Sequence, residues 1–346
     1  MKVCTSIFLI LLAIICCPNF ALAIEAEHTT GIDAYYAGDY QTALRHLRPL
    51  AEQGDSESQY YMGYMYLYGY GITVNQTEGV DWMRKSANSG YAFAQTDMGY
   101  FYANGVGLEQ DFQQAVNWYE KAAVQNESGA IFNLAGAYRF GMGMKVDLPQ
   151  SVALYQRAAD LGNSAAMLEL GVLLAQGQGL EQNNQRAIEL FQQAAELGLV
   201  QAQYNLGYMY QNGIGTKKDA AQSAVWYKQS AEGGHVSAAA MLGVLYHDGV
   251  GVEENFDRAA HWCQMAADRG DPAGQSCMAI LHAQGHGVEK DYVLSYMWGV
   301  LALPQLPEGQ AKKMAKRGLK LLDFWGMTDK QVATAKTLAE NWEVSP

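Results

Sequence analysis

The sequence predicts an all-α fold in which helical hairpins of one repeating length stack into a solenoid. Seven Gly-x-Gly elements follow one another at a constant spacing of 36 residues, and an Asn or Asp recurs eight times at the same spacing. A fixed period of this length is typical of repeat proteins, whose units bury their apolar faces against their neighbours. Composition favours a packed chain over a disordered one, because 49% of the residues are hydrophobic and 17% are charged.

The glycine pairs predict the loop in the middle of each repeat. The first glycine ends the preceding helix, helix A, because glycine adopts the left-handed conformation of a helix C-terminus at little cost. Six residues earlier stands a small residue, such as Gly63 or Ala135, which lets the next helix approach closely. Three residues earlier there is usually an aromatic, such as Tyr66. The pairs begin at Gly69, Gly105, Gly141, Gly177, Gly213, Gly249 and Gly285.

The recurring Asn and Asp residues predict where the second helix of each repeat, helix B, begins. Their side-chain oxygens can accept hydrogen bonds from the free amides of the first helical turn. Seven residues beyond the later caps lies a Trp or Leu, such as Trp82 or Leu154, which we expect to fill the space between helices A and B. The predicted caps are Asp39, Asn75, Asp111, Asp147, Asn183, Asp219, Asn255 and Asp291.

The two ends of the chain depart from this pattern. Near the start, Gly38-Asp39-Tyr40 replaces the long loop, which predicts a short first hairpin whose second helix runs from Tyr40 to about Gln53. After about Leu303 the register fails. We expect a signal peptide at residues 1–23, an N-terminal capping repeat at 24–54, the solenoid at 55–303 and C-terminal capping helices at 304–346.

Two helices are predicted in the C-terminal segment. Pro304 and Pro307 are expected to break the chain before the first of them, Glu308–Asp323. The second follows Thr328, because the Thr328-x-x-Gln331 spacing fits a capping box.

The first 23 residues are typical of a secretory signal peptide. One positive charge, Lys2, precedes an apolar stretch from about residue 7 to 17 and the small-residue pattern that ends at Ala23. We expect cleavage after Ala23 and a periplasmic or secreted mature protein. Two alternatives stay open: a membrane anchor, although the stretch is short of the ~20 residues that span a bilayer, and a lipoprotein acylated at Cys16 or Cys17.

The net charge of the chain indicates which class of partner it can bind. The chain carries a formal net charge of −12, and cleavage would remove Lys2 and no acid. A surface of this sign repels phosphate backbones, so nucleic acid is not the expected partner. No membrane span is expected in the mature chain, because no other segment is long and apolar enough.

The full motif resembles the Sel1-like repeat family, which is related to tetratricopeptide repeats. Residues 99–123 show it best, with Gly-x-x-Tyr-x-x-Gly-x-Gly, an Asp cap and Trp-Tyr-x-x-Ala-Ala. The resemblance covers roughly residues 39–303. It implies a right-handed α/α superhelical solenoid and an exported adaptor that scaffolds complexes, regulates signalling or binds host proteins, with no enzymatic activity.

Aromatic side chains are the candidate partner-binding groups. By analogy with tetratricopeptide geometry, helix A lines the concave groove, and aromatic and Arg side chains are common anchors of protein interfaces. The alternative, that several of them only pack one helix A against the next, stays open. The candidates are Tyr60, Tyr64, Tyr68, Phe93, Tyr100, Phe132, Arg139, Phe140, Tyr204 and Tyr208.

Cys263 and Cys277 are the cysteines that would remain after cleavage. They lie on a helix B and the next helix A, about level across a tight turn. An oxidising compartment favours a structural disulfide, and two buried thiols are the alternative.

Motifs of catalysis and cofactor binding are absent from the sequence. The glycine pairs lack the context of a nucleotide-binding loop, and Ser-x-x-Lys, Gly-x-Ser-x-Gly and Cys-x-x-Cys do not occur. No cofactor and no metal are predicted. Two alternatives stay open. One is a hydrolase of cell-wall or β-lactam substrates, as described for cysteine-rich Sel1 relatives. The other is a zinc site at His247, His282 and His286, although His282 can equally be a histidine that replaces a core aromatic.

A basic run stands out near the C-terminus of this acidic chain. It predicts either a weak contact with an anionic lipid or partner, or the solvated face of a capping helix. Its cations are Lys312, Lys313, Lys316, Arg317 and Lys320.

Overall fold

The computed structural model describes residues 18–324 and 326–344, and the side chains of residues 25–322 and 326–344. Over these residues the fold is all-α, with eighteen helices and no strand. The chain divides into two compact units, Met1–Asn163 and Ser164–Pro346. The predicted signal peptide lies outside the described residues apart from the backbone of 18–23. None of the described helices combines the length and the apolar character that a bilayer span requires.

The N-terminal unit contains four helical hairpins. Each helix A packs against the helix B that follows it, and each of the first three helices B packs against the next helix A. The helices A are α1 Pro18–Tyr36, α3 Ser56–Tyr68, α5 Ala92–Asn104 and α7 Ser128–Phe140, and the helices B are α2 Tyr40–Glu52, α4 Gln76–Asn88, α6 Phe112–Val124 and α8 Leu148–Asp160.

The C-terminal unit contains four more hairpins and two closing helices. The helices A are α9 Ser164–Gln176, α11 Val200–Asn212, α13 Val236–Asp248 and α15 Pro272–Gln284, and the helices B are α10 Asn184–Glu196, α12 Ala220–Glu232, α14 Phe256–Asp268 and α16 Tyr292–Gln305. The closing helices are α17 Gln310–Phe324 and α18 Asp329–Glu340, and both pack against α16.

The eight predicted caps are confirmed. Each Asn or Asp accepts a hydrogen bond from an amide in the first turn of its helix B, as Asp111 does from Gln114 at 3.0 Å. The first glycine of each pair has a φ between 64° and 77°, the left-handed conformation that ends helix A. The second glycine lies against the previous helix B: a Cβ at Gly143 would come within 2.5 Å of the Phe112 carbonyl oxygen.

Close packing within a hairpin depends on the small residue of helix A. A Cβ at Gly207 would lie 2.6 Å from Cδ1 of Tyr227, whose side chain is fully buried. The Trp and Leu anchors of helix B are buried in most repeats, for example Trp118 and Leu190, whereas Trp226 and Trp262 are half-buried. The expected role of the small residue is therefore confirmed.

The predicted break before the first closing helix is present between Gln305 and Gln310, but it begins after Pro304 and not at it. Pro304 lies inside α16, which ends at Gln305. A proline there removes one intrahelical hydrogen bond in the last turn, while buried Trp298 and Ala302 hold the helix in place. The capping box is confirmed, because Thr328 Oγ1 accepts from the Gln331 amide at 3.3 Å and Gln331 Oε1 accepts from the Thr328 amide at 2.9 Å.

Candidate protein-binding surface

The predicted binding residues on helices A fall into two groups. Five of them are about half exposed, with exposed fractions between 49% and 64%: Tyr68, Phe93, Tyr100, Phe140 and Tyr208. The other five are half-buried among neighbouring side chains: Tyr60, Tyr64, Phe132, Arg139 and Tyr204. The second group is partly covered by neighbouring side chains, and the first group leaves more of its surface available for contact.

In the N-terminal unit, α3, α5 and the N-cap of α5 carry six aromatic rings that we call the tyrosine patch (Tyr60, Tyr64, Tyr68, Tyr91, Phe93 and Tyr100). The first five form a row of ring contacts, and Tyr100 lies on the face of α5 that carries Phe93. Tyr60, Tyr64 and Tyr68 share one side of α3, because residues four apart on a helix lie above one another. The ring centroids of Tyr64 and Tyr68 are 5.7 Å apart, and those of Tyr60 and Tyr64 are 5.0 Å apart. Tyr91 continues the row, 5.2 Å from Tyr60 and 5.6 Å from Phe93.

Asp97 of α5 lies within this patch. The Tyr64 hydroxyl donates a hydrogen bond to Asp97 Oδ2 at 2.7 Å. Burial raises the pKa of the Asp97 carboxyl above its usual range, the Tyr64 and Tyr60 hydroxyls oppose that rise, and the charge of Glu127 adds to it. Burial beside the same carboxylate raises the pKa values of Tyr60 and Tyr64.

Two further carboxylates border the patch. Glu57 accepts a hydrogen bond from the Tyr91 hydroxyl at 3.0 Å, and Glu127 accepts one from Thr96 Oγ1 at 2.6 Å. His28 Nε2 is 3.6 Å from Glu57 Oε2, so an imidazole lies beside this acid. The aromatic surface is therefore acidic as well.

Lysines and arginines are distributed unevenly between the two kinds of helix. The eight helices A carry one between them, Arg139, whose guanidinium lies 5.1 Å from the Phe140 ring centroid. The helices B carry nine: Arg45, Arg48, Arg84, Lys85, Lys121, Arg157, Arg186, Lys228 and Arg258.

Sequence reasoning missed Asp97, Tyr91 and the acids beside them. It sampled the registers of Tyr60, Tyr64 and Tyr68, whereas Asp97 occupies the register of Tyr61 and Tyr91 that of Asp55. A search for acids in the registers adjacent to the aromatics would have found Asp97.

Comparison with family models gives eight consecutive matches to the Sel1 repeat. They span residues 19–55, 56–91, 92–126, 128–163, 164–199, 200–235, 236–271 and 273–302. The chain belongs to the Sel1-repeat family. Proteins of this family are generally scaffolds for protein interaction, and the repeat fold is typically non-catalytic.

Solved Sel1-repeat structures resemble this chain. A Sel1 repeat protein from Oxalobacter formigenes is 32% identical over 68% of this chain and 97% of its own, with a TM-score of 0.65. A protective antigen present in uropathogenic Escherichia coli strains is 28% identical over 93% of this chain and 77% of its own, with a TM-score of 0.57. Among curated proteins, the comparison found no match.

In the C-terminal unit, the aromatic residues of the Sel1 repeats are fewer. Tyr204 stacks on His235 with ring centroids 4.4 Å apart, and burial lowers the pKa of His235. Tyr208 borders a cavity of about 480 Å³, whose lining includes Val172, Phe191 and Met209. The described part of this unit therefore has an exposed tyrosine beside a largely apolar cavity, in place of the continuous row of rings seen in the tyrosine patch.

The three histidines weighed as zinc ligands have other contacts. His282 is buried in the core position, with Nδ1 3.1 Å from the Glu289 carbonyl oxygen. His286 stacks on Phe256 at 3.9 Å between ring centroids, and His247 Nε2 is 3.1 Å from Gln284 Oε1. Within 18–324 and 326–344, no group of three or more His, Cys, Asp and Glu residues is placed to hold a metal ion.

A disulfide joins Cys263 of α14 to Cys277 of α15, in agreement with the expected pairing, and their Cα atoms are 5.9 Å apart. Both cysteines of the described residues are therefore oxidised.

The basic run forms α17. Lys312 pairs with Glu308 at 2.8 Å, whereas Lys313, Lys316, Arg317 and Lys320 are exposed. Leu319 and Leu322 face the other way, and a Cβ at Gly299 of α16 would lie 2.8 Å from Leu319.

Proposed function

We propose that this Sel1-repeat protein is an exported scaffold that holds a partner protein or extended peptide on the exposed surface of its helices A. The observation that carries the proposal is the tyrosine patch, where Tyr68, Phe93 and Tyr100 each leave about half of a large ring in contact with water. Contiguous apolar surface of this kind usually marks an interaction site, because exposing it to water is unfavourable. Rigid rings also bind with a small loss of conformational entropy.

Export is part of the same proposal. The N-terminal signal pattern and the Cys263–Cys277 disulfide both suit an oxidising compartment outside the cytosol. In such a compartment the protein would assemble envelope complexes, regulate a signalling receptor or bind a host protein, without catalysing a reaction. The predicted segment boundaries at residues 23, 54 and 303 belong to this proposal.

Site-specific photo-cross-linking tests the proposal. A photoreactive phenylalanine analogue at Phe93 or Tyr100 should form a discrete cross-link to a partner protein in the envelope of the producing cell. The matched control is Val124 on α6, a helix B residue that is 81% exposed. Cross-linking at Val124 equal to that at Phe93 and Tyr100, or none at either ring, would contradict the proposed surface.

A double variant gives a second readout. Phe93→Ala with Tyr100→Ala should abolish co-purification of the partner that cross-linking identifies and leave the thermal transition nearly unchanged, since both rings are exposed. Tyr64→Ala is less suitable, because it would also remove the hydrogen bond to Asp97. Full recovery of the partner with the double variant would argue against binding at these rings.

A further inference from the structure

The carboxylate of Asp97 has no positive counterpart among the described residues. Its surroundings are Tyr60 and Tyr64 of α3, Tyr119 of α6 and Glu127 at the start of α7. The three phenols are neutral at pH 7, and the fourth group is another acid. A half-buried carboxylate is unfavourable unless a charge compensates it, and phenol hydroxyls supply hydrogen bonds without a charge.

The rings beside Asp97 are placed to receive a cation. Phe93 precedes it by four residues and Tyr100 follows it by three, so both flank the carboxylate on the same face of α5. Tyr68 extends the surface on α3 and is 56% exposed. A lysine or arginine head within ~6 Å of such a ring is attracted by its quadrupole, and the attraction adds to that of the carboxylate.

The same two repeats contain contacts between a lysine and an aromatic ring on their helices B. On the helices B, Lys85 Nζ lies 3.9 Å from the Trp82 ring centroid and Lys121 Nζ lies 3.8 Å from that of Trp118. On α3 and α5 the rings are present, but neither helix contains a lysine or arginine. A cation at these rings would therefore come from outside α3 and α5.

We propose that the tyrosine patch and Asp97 bind a lysine or arginine side chain of an extended basic segment in the partner protein. The inference rests on the proposed function and specifies the chemistry of the partner. Glu57 borders the patch and makes it complementary to further cations along the same segment, whereas Glu127 also caps α7 by accepting from the amides of Gly129 and Ala130. An acidic segment is disfavoured by the same three carboxylates.

Selection from a random 12-residue peptide library displayed on phage tests the inference on the purified chain. Peptides enriched on the wild-type protein should carry lysine or arginine next to apolar residues. Fluorescence anisotropy of an enriched peptide should show at least tenfold weaker binding to Asp97→Asn, which keeps the shape and an oxygen acceptor for Tyr64, and weaker binding as salt rises. The matched control is Glu120→Gln, which removes the same charge from an exposed position on α6 and should leave the affinity within twofold.

Each other outcome overturns the inference. Enriched peptides that are neutral or acidic, or equal affinities for Asp97→Asn and Glu120→Gln, would exclude Asp97 as the charge partner. If neutral or acidic peptides were enriched and Tyr100→Ala abolished their binding, the proposed binding surface would be supported and only its preference for a cation would be wrong. No enrichment together with no photo-cross-link would overturn both. Self-association of the wild-type chain that Asp97→Asn abolishes would assign the cation to a second copy instead of a separate partner.

Discussion

Replacing Cys263 and Cys277 by alanine removes the disulfide between α14 and α15. Both side chains are buried, with exposed fractions of 0% and 5%. In the register of Cys263, three earlier repeats place an aromatic ring over the glycine of helix A, as Tyr227 does over Gly207, whereas Met83 lies over Gly63 and the Cys263 sulfur lies over Gly243. We therefore expect the disulfide to stabilise this part of the fold, as ring packing does in those repeats.

The magnitude follows from the chain length that the disulfide closes. The two cysteines are 14 residues apart. Restricting a loop of that length in the unfolded chain stabilises the fold by about 3 kcal/mol in the chain-entropy account. If the C-terminal unit unfolds as one, the transition temperature should fall by roughly 6–12 °C, because 1 kcal/mol corresponds to about 2–4 °C for a unit of this size.

Thermal unfolding followed by circular dichroism measures this loss. A chain that starts at residue 24 contains no other cysteine, so reduction of the wild type is a chemical control for the double variant. A reductant should lower the wild-type transition to that of Cys263→Ala/Cys277→Ala and leave the variant unchanged. A difference below about 1 kcal/mol, or two titratable thiols in the oxidised protein, would refute the reasoning.

Three further predictions concern stability and charge. Asp97→Asn should stabilise the protein at pH 7 and not at pH 3. The folded-state pKa of Asp97 is raised, so ionisation of its carboxyl lowers the stability of the fold as pH rises from about 3.9 through the folded-state pKa. Chemical denaturation at both pH values measures this difference, and an equal effect at pH 3 and pH 7 would exclude it. Ser223→Ala should cost about 1 kcal/mol in the same assay, because the buried Ser223 hydroxyl donates to the Gly207 carbonyl at 2.8 Å; an unchanged midpoint would contradict it. If α17 contacts anionic surfaces, Lys313→Glu with Lys320→Glu should abolish sedimentation with anionic phospholipid vesicles, and equal sedimentation of variant and wild type would reject that contact.

Much of the fold could be predicted because local interactions define each helix. The Asp111 cap bonds an amide three residues away, and Gly105 ends α5 through its own left-handed conformation. The break predicted at Pro304 and Pro307 is displaced past Pro304, because packing of the buried neighbours Trp298 and Ala302 outweighs the local preference of proline.

The candidate site was predicted less completely than the fold. Register placed Tyr64 and Tyr100 at equivalent positions, yet Tyr64 is half-buried against α5 and Tyr100 is half exposed. The difference depends on what the next helix A presents, which is Asp97 opposite Tyr64. A periodic pattern records the position within a repeat and does not record the side chain that lies opposite it on the next helix A.

The sequence by itself determined the repeat, the ends of most helices and the family to which the chain belongs, because these depend on residues a few positions apart. Only the tertiary structure decided which aromatic rings meet water and which carboxylate lies among them. The Tyr64–Asp97 hydrogen bond joins residues 33 positions apart, in successive repeats. Burial of an acid among phenols follows from that contact between helices and is invisible to either helix alone.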